Sequence, residues 1–194
     1  MMNTLKNKGK VWVVLLVILG IILVVFLSIW GGYNKAVKYD VAVDGSWADV
    51  DTVLVRRFDL IPNLIETVKG YAGHEKELFE NIANAKTKYF AAQGVAGKAQ
   101  AANQLEGMLS KLMLLREAFP ELKANLNFLK LQDQLEGTEN RIAVARKRYN
   151  DAVRNVNTYK RSFFGRFYSN MAGVEKGEFF EAAEEQTAVP KVSF

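Results

Sequence analysis

The sequence contains no cysteine and a single histidine, His74. Without a thiol there is no disulfide, no lipoprotein attachment site and no Cys-His nucleophile. With one imidazole, the "HEKEL" that begins at His74 lacks the second histidine that a helical zinc-protease motif places four positions on. A Ser-His-Asp set would have to recruit His74 with nothing in the sequence to support it, so His74 reads as a solvated or capping residue. "QGVAGKAQ" lacks the Ser or Thr that must follow the Gly-Lys of a phosphate loop, and its two glycines read as a turn. Proline is scarce as well: only Pro62 and Pro120 fall before the carboxyl-terminal tail, which leaves long helices uninterrupted.

Charge is missing from one stretch altogether. "VWVVLLVILGIILVVFLSIW", residues 11–30, holds sixteen Ile, Leu, Val or Phe residues in twenty. At about 1.5 Å per residue it reaches about 30 Å, the thickness of a bilayer's hydrocarbon core. Summed at roughly 0.3 to 0.6 kcal/mol for each apolar residue, insertion is favourable by on the order of 5 to 10 kcal/mol. The run exceeds the apolar segment of a signal peptide, and "GGYNKAVKY" after it offers no small-x-small cleavage site, so a retained anchor is expected. Trp12 and Trp30 stand at its two ends, where an indole suits the membrane interface. Lys6, Lys8 and Lys10 precede the run and Lys35 and Lys38 follow it; three against two favours a cytoplasmic amino terminus and a carboxyl-terminal domain on the outer face.

Beyond the span, apolar residues recur at three- and four-residue spacing, which predicts an all-α protein. Between Leu122 and Phe163, one set, Leu135, Ile142, Tyr149, Val156 and Phe163, repeats every seven residues. Thr138, Ala145, Ala152 and Tyr159 repeat between them, giving one narrow seam along a helix of about 40 residues. Pro120 and Glu121 suit the opening turn of that helix. Upstream, Leu105, Met108, Leu109, Leu112, Leu115 and Phe119 form one stripe, and Leu78, Ile82, Ala85 and Tyr89 another. Val43, Trp47, Val50, Leu54 and Ile61 share a face of the first helix after the span. The fold expected is a single amino-terminal transmembrane helix followed by an antiparallel bundle of long helices. Its parts are a short basic tail, 1–10; the span, 11–30; the bundle, 31–165; and a tail, 166–194, that loses the periodicity and reads as a loop or docking arm.

"RRFDLIPNLIETVKGYAGHE", residues 56–75, reads as a structural corner. Pro62 removes a helix hydrogen bond and disfavours helical geometry at Ile61, so the helix is expected to bend or to stop and restart there. Gly70 and Gly73 then let the chain reverse. Carboxylate pairs such as Asp49 with Asp51, or Glu184 with Glu185, are common on solvated helix surfaces and suggest no enclosed acid-base dyad. The net charge of +5 and pI near 9.3 come without a recognised nucleic-acid module, and the basic residues of "RKRYNDAVRNVNTYKR" spread around their helix. No nucleic-acid partner is expected.

The chain resembles the LemA family of bacterial membrane proteins in four stretches: "YNKAV" after the span, "RRFDLIPNLIETVKGYAGHE", "FPELKANLNFLKLQDQLEGTENRIAVARKRYNDAV" and the ending "FFEAAEEQTAVPKVSF". The resemblance implies one amino-terminal membrane helix carrying a long-helix bundle, and it implies no reaction. "KRSFFGRFYSNMAG" departs from the break, often rich in Pro and Asn, that usually follows the family's last long helix. Family topology is commonly predicted with the amino terminus outside, opposite to the lysine count, so both orientations stay open.

These readings converge on a non-enzymatic structural or interaction protein of the bacterial inner membrane, with no catalytic, cofactor or metal residues and no cofactor. It is expected to associate with itself or to present a helical face to a membrane-protein partner in the envelope. Arg56, Arg57, Phe179, Phe180 and Phe194 are the candidate contact residues, each of which has burial against its own bundle as the plainer alternative. Two other readings stand beside it: a lipid-surface organiser that uses basic helix faces, and an envelope enzyme with an unrecognised site.

Overall fold

A computed structural model of the chain describes residues 3–181, residues 3–9 and 11 through their backbone only. Six helices and no strand occur among the described residues: α1 (Asn3–Lys69), α2 (Lys76–Ala91), α3 (Gly94–Ala118), α4 (Pro120–Lys123), α5 (Leu126–Arg161) and α6 (Phe163–Met171). They pack as two compact units. Among the described residues, one comprises 3–42 and Arg154–Lys176, the other Val43–Val153 with 177–181.

The second unit is the bundle. Its core takes Val50, Leu54, Phe58, Ile61, Leu64 and Val68 from α1, at the spacing that places them on one side of a helix. Phe79, Ile82 and Tyr89 of α2, Leu105, Leu109 and Leu112 of α3, and Phe128, Leu135, Ile142 and Tyr149 of α5 meet them. Each large side chain so buried stabilises the fold by about 1.5 to 3 kcal/mol. Neighbouring helices run antiparallel: Tyr71 just past the end of α1, then Arg57 and Trp47 on it, meet Asn125 just before α5, then Thr138 and Tyr149 on it, numbers falling on one side and rising on the other. Phe58 meets Tyr89, and Lys69 sits over Phe79, in the same sense between α1 and α2.

Four sequence expectations change here. Of the two outcomes expected at Pro62, a bend or a stop, the stop does not occur, since Pro62 lies inside α1. Proline cannot donate to the carbonyl four residues back, that of Phe58, and this carbonyl instead accepts from the Lys86 ammonium on α2, at 3.4 Å. The "QGVAGKAQ" turn is shorter than its glycines suggest, since α3 already begins at Gly94. Pro120 opens only the single turn of α4; the long helix starts afresh where Asn125 Oδ1 accepts the backbone N–H groups of Asn127 and Phe128, an N-cap. The seven-residue seam holds through Leu135, Ile142, Tyr149 and Val156, all buried, but ends before Phe163, which is 87% exposed on α6.

In the first unit, α1 carries the apolar run, with residues 12–28 and Trp30 exposed. Among the described residues this is the one helix long and apolar enough to cross a membrane. Near the end of the run α6 is fastened to α1: the Tyr168 hydroxyl and Ser28 Oγ share a hydrogen bond of 2.8 Å. A side chain at Gly32 would run into the Tyr168 ring, so this approach requires glycine. Tyr159, near the end of α5, donates to the Gly32 carbonyl at 2.8 Å and packs on Tyr39. Ser162 caps α6 by accepting from Gly165 N–H. Gly173, at φ +69, closes it: its N–H bonds to Asn170 O and that of Val174 to Ser169 O, a Schellman ending. A helix therefore occupies residues 163–171, across the position where the tail was expected to begin.

Candidate functional site

Three polar constellations lie in the bundle. In the first, Arg57 on α1 is 4% exposed and forms an ion pair with Glu139 on α5. Its Nε reaches Thr138 Oγ1 at 3.4 Å, and that hydroxyl donates onward to Leu135 O at 2.7 Å. The pair lines a groove of about 470 Å³, together with Leu109, Met113 and Leu135 and the acidic Glu106 and Glu136. Glu106 also pairs with Arg146 at 3.4 Å. Apolar walls interspersed with carboxylates, two of them already paired with Arg57 and Arg146, suit a partly apolar, positively charged group.

In the second, Asp51 accepts from the Tyr89 hydroxyl at 2.6 Å and from Lys98 Nζ at 2.7 Å, which ties α1 to α2 and α3. Burial works against the Asp51 charge, but the hydrogen bonds from Lys98 and Tyr89 outweigh it and hold the carboxyl below its ordinary range. Burial first, and then Asp51 itself, drive the Tyr89 hydroxyl far above its usual value, so it stays a donor. The Lys98 ammonium also lies over the Tyr89 ring at 5.2 Å.

The third holds the tail. Asn150 brackets the backbone of Phe180, accepting from its N–H at 2.9 Å and donating to its carbonyl at 3.0 Å. Tyr149 donates to Glu178 O at 2.6 Å and Asn103 to Glu181 O at 2.9 Å. The Phe180 ring is buried beside Trp47 and beneath the Arg146 guanidinium, 4.7 Å from its centroid. Burial above all, with the charges of Glu178 and Asp44, pushes the Tyr149 hydroxyl up to about 12.

Of the residues proposed from sequence, Arg57 and Phe180 are thus bound into the fold, while Arg56 and Phe179 are exposed; Phe194 lies outside the described residues. Trp12 and Trp30 are exposed at the two ends of the apolar run. His74 is exposed in the turn between α1 and α2. Sequence reasoning passed over Lys98 as a turn residue and Asp51 as half of a surface pair. A signal for Arg57 was present: it stands seven residues after Val50 and four before Ile61, on the core stripe. Among the described residues no group of three His, Asp or Glu lies close enough together to hold a metal ion.

The LemA family model matches residues 46–194. The chain belongs to the LemA family. The match takes in the bundle and three of the four stretches that suggested it, and begins after the apolar run and "YNKAV". No curated protein matches the chain. In this LemA family member the matched region contains all three constellations, and each joins segments distant in sequence.

Proposed function

We propose that this LemA family protein is a membrane-anchored, non-enzymatic interaction protein of the bacterial cell envelope, whose bundle associates with further copies or presents a helical face to a membrane-protein partner. The observation that carries the reading is the contrast along α1: its first part exposes an uncharged run long enough to cross a bilayer, and its later part buries its apolar face in the bundle. The buried Arg57, Tyr89 and Tyr149 and the half-buried Asp51 are joined to other elements by bonds that hold the fold, which suits a carrier of surfaces better than a reactor. Contact then falls to exposed groups such as Arg56 and Phe179.

Fractionation tests the anchor. The full chain is expected in the membrane pellet after alkaline carbonate, and a chain starting at residue 31 in the supernatant; a carbonate-soluble full chain defeats the reading. Mass photometry of the detergent-extracted full chain tests association, and a strict monomer that also crosslinks to no membrane protein counts against it. Exposed Arg141, Lys147 and Arg148 on α5 favour the second reading, binding to anionic lipid, which predicts salt-sensitive capture by anionic vesicles of the chain starting at residue 31.

A further inference from the structure

Helix α6 turns its largest apolar residues the wrong way for a soluble protein. Its inward positions are Gly165, Tyr168 and Ser169, all buried. Phe163, Phe164, Phe167 and Met171 point outward, at 87%, 67%, 59% and 45% exposure. At 3.6 residues per turn these four share one arc, the inward three a second, and Arg166 with Asn170, both exposed, a third. A single surface phenylalanine needs no explanation, but three on one helical turn beside an exposed methionine form a patch that calls for a partner.

The partner follows from where α6 is fastened. Tyr168 bonds to Ser28 and packs on Gly32, so α6 meets α1 in the last turn of the apolar run, which ends at Trp30. If that run fills the hydrocarbon core, Ser28 lies only about 3 Å inside the core's edge. A short helix held there has a protein side, a lipid side and a wet side, matching its three arcs. Lys160, Arg161 and Arg166 sit on or just before α6, which has no acidic residue of its own, and basic groups at that depth suit anionic headgroups.

We propose that α6 is a second membrane-contacting element, lying in the headgroup layer of the bilayer that holds the span, with Phe163, Phe164, Phe167 and Met171 against lipid acyl chains. This rests on the anchor reading above. It also gives "KRSFFGRFYSNMAG" a role: it is the stretch that turns the chain from the end of α5 along the membrane surface.

The lack of native cysteine makes the test direct. Nitroxide labels go on Phe164→Cys, Phe167→Cys and Asn170→Cys, with Leu19→Cys in the span and Leu114→Cys, 69% exposed on α3, as references. The full chain is placed in nanodiscs of phosphatidylcholine and phosphatidylglycerol, and collision with oxygen is compared with collision with a water-soluble nickel chelate. All three α6 positions are exposed, so labelling leaves packing intact. The expected result is an oxygen-to-nickel ratio at 164 and 167 at least about threefold above that at 114, a depth shallower than at 19, and a water-like ratio at 170. Water-like ratios at 164 and 167 with 19 in lipid overturn this proposal alone. Shielding of 164 and 167 from both reagents means that protein covers the patch, and also overturns it. A water-like ratio at 19 removes the anchor reading and this proposal with it.

Discussion

Tyr149 shows how much a single hydroxyl can carry. It is buried, donates to Glu178 O and touches Trp47, so it joins α5, the tail and α1. In an unfolded chain a tyrosine loses its proton near pH 10.0, whereas folded Tyr149 keeps it to about 12. Above pH 10 the unfolded state therefore binds fewer protons, and stability falls as pH rises from about 10 to about 12. Thermal unfolding of the full chain in micelles should show the midpoint dropping across that window, and Tyr149→Phe should reduce the slope. Tyr89, shifted in the same direction, keeps the slope from vanishing. At this scale the sequence was least legible. Arg57 looked like a contact residue because its neutralising partner, Glu139, lies 82 positions away, a distance that only folding closes.

Elements were largely legible because their causes are local. Apolar spacing marked every long helix, and four of the five residues in the seven-residue set are buried. The failures came where chemistry from another element intervened. Phe163 continued the count by coincidence, although the chain had already turned at Ser162. Pro62 promised a bend or a break; the helix runs on through it, and a lysine on α2 serves the carbonyl left without its donor. That compensation can be measured. Lys86→Met should destabilise the chain by about 0.5 to 1.5 kcal/mol, the net worth of one hydrogen bond. In a Pro62→Ala background the backbone N–H takes over the Phe58 carbonyl, so the same lysine substitution should cost markedly less, while Pro62→Ala alone raises stability. Urea titration of the four chains, arranged as a double-mutant cycle, gives the coupling; costs that simply add would disprove the link.

At the scale of the molecule, the helical character of the described residues and the apolar run could be read directly from the sequence, while the docking of the segment after α6 depends on contacts between distant segments. The extended segment after α6 has no helical hydrogen bonding of its own and is held by side chains of α3 and α5 gripping its backbone. Phe180 supplies the apolar anchor. Phe180→Ala should lower stability by about 3 to 5 kcal/mol, as for other buried phenylalanines, and should make the tail the first site cut in limited proteolysis. Phe179→Ala, at an exposed neighbour, should do neither.

That tail fixes an order of events. Ribosomes deliver the amino end first, so α1, α2 and α3 emerge well before Phe180 does. Until Phe180 docks, the recess beside Trp47 stands open, an uncovered aromatic hollow that the segment after α6 closes.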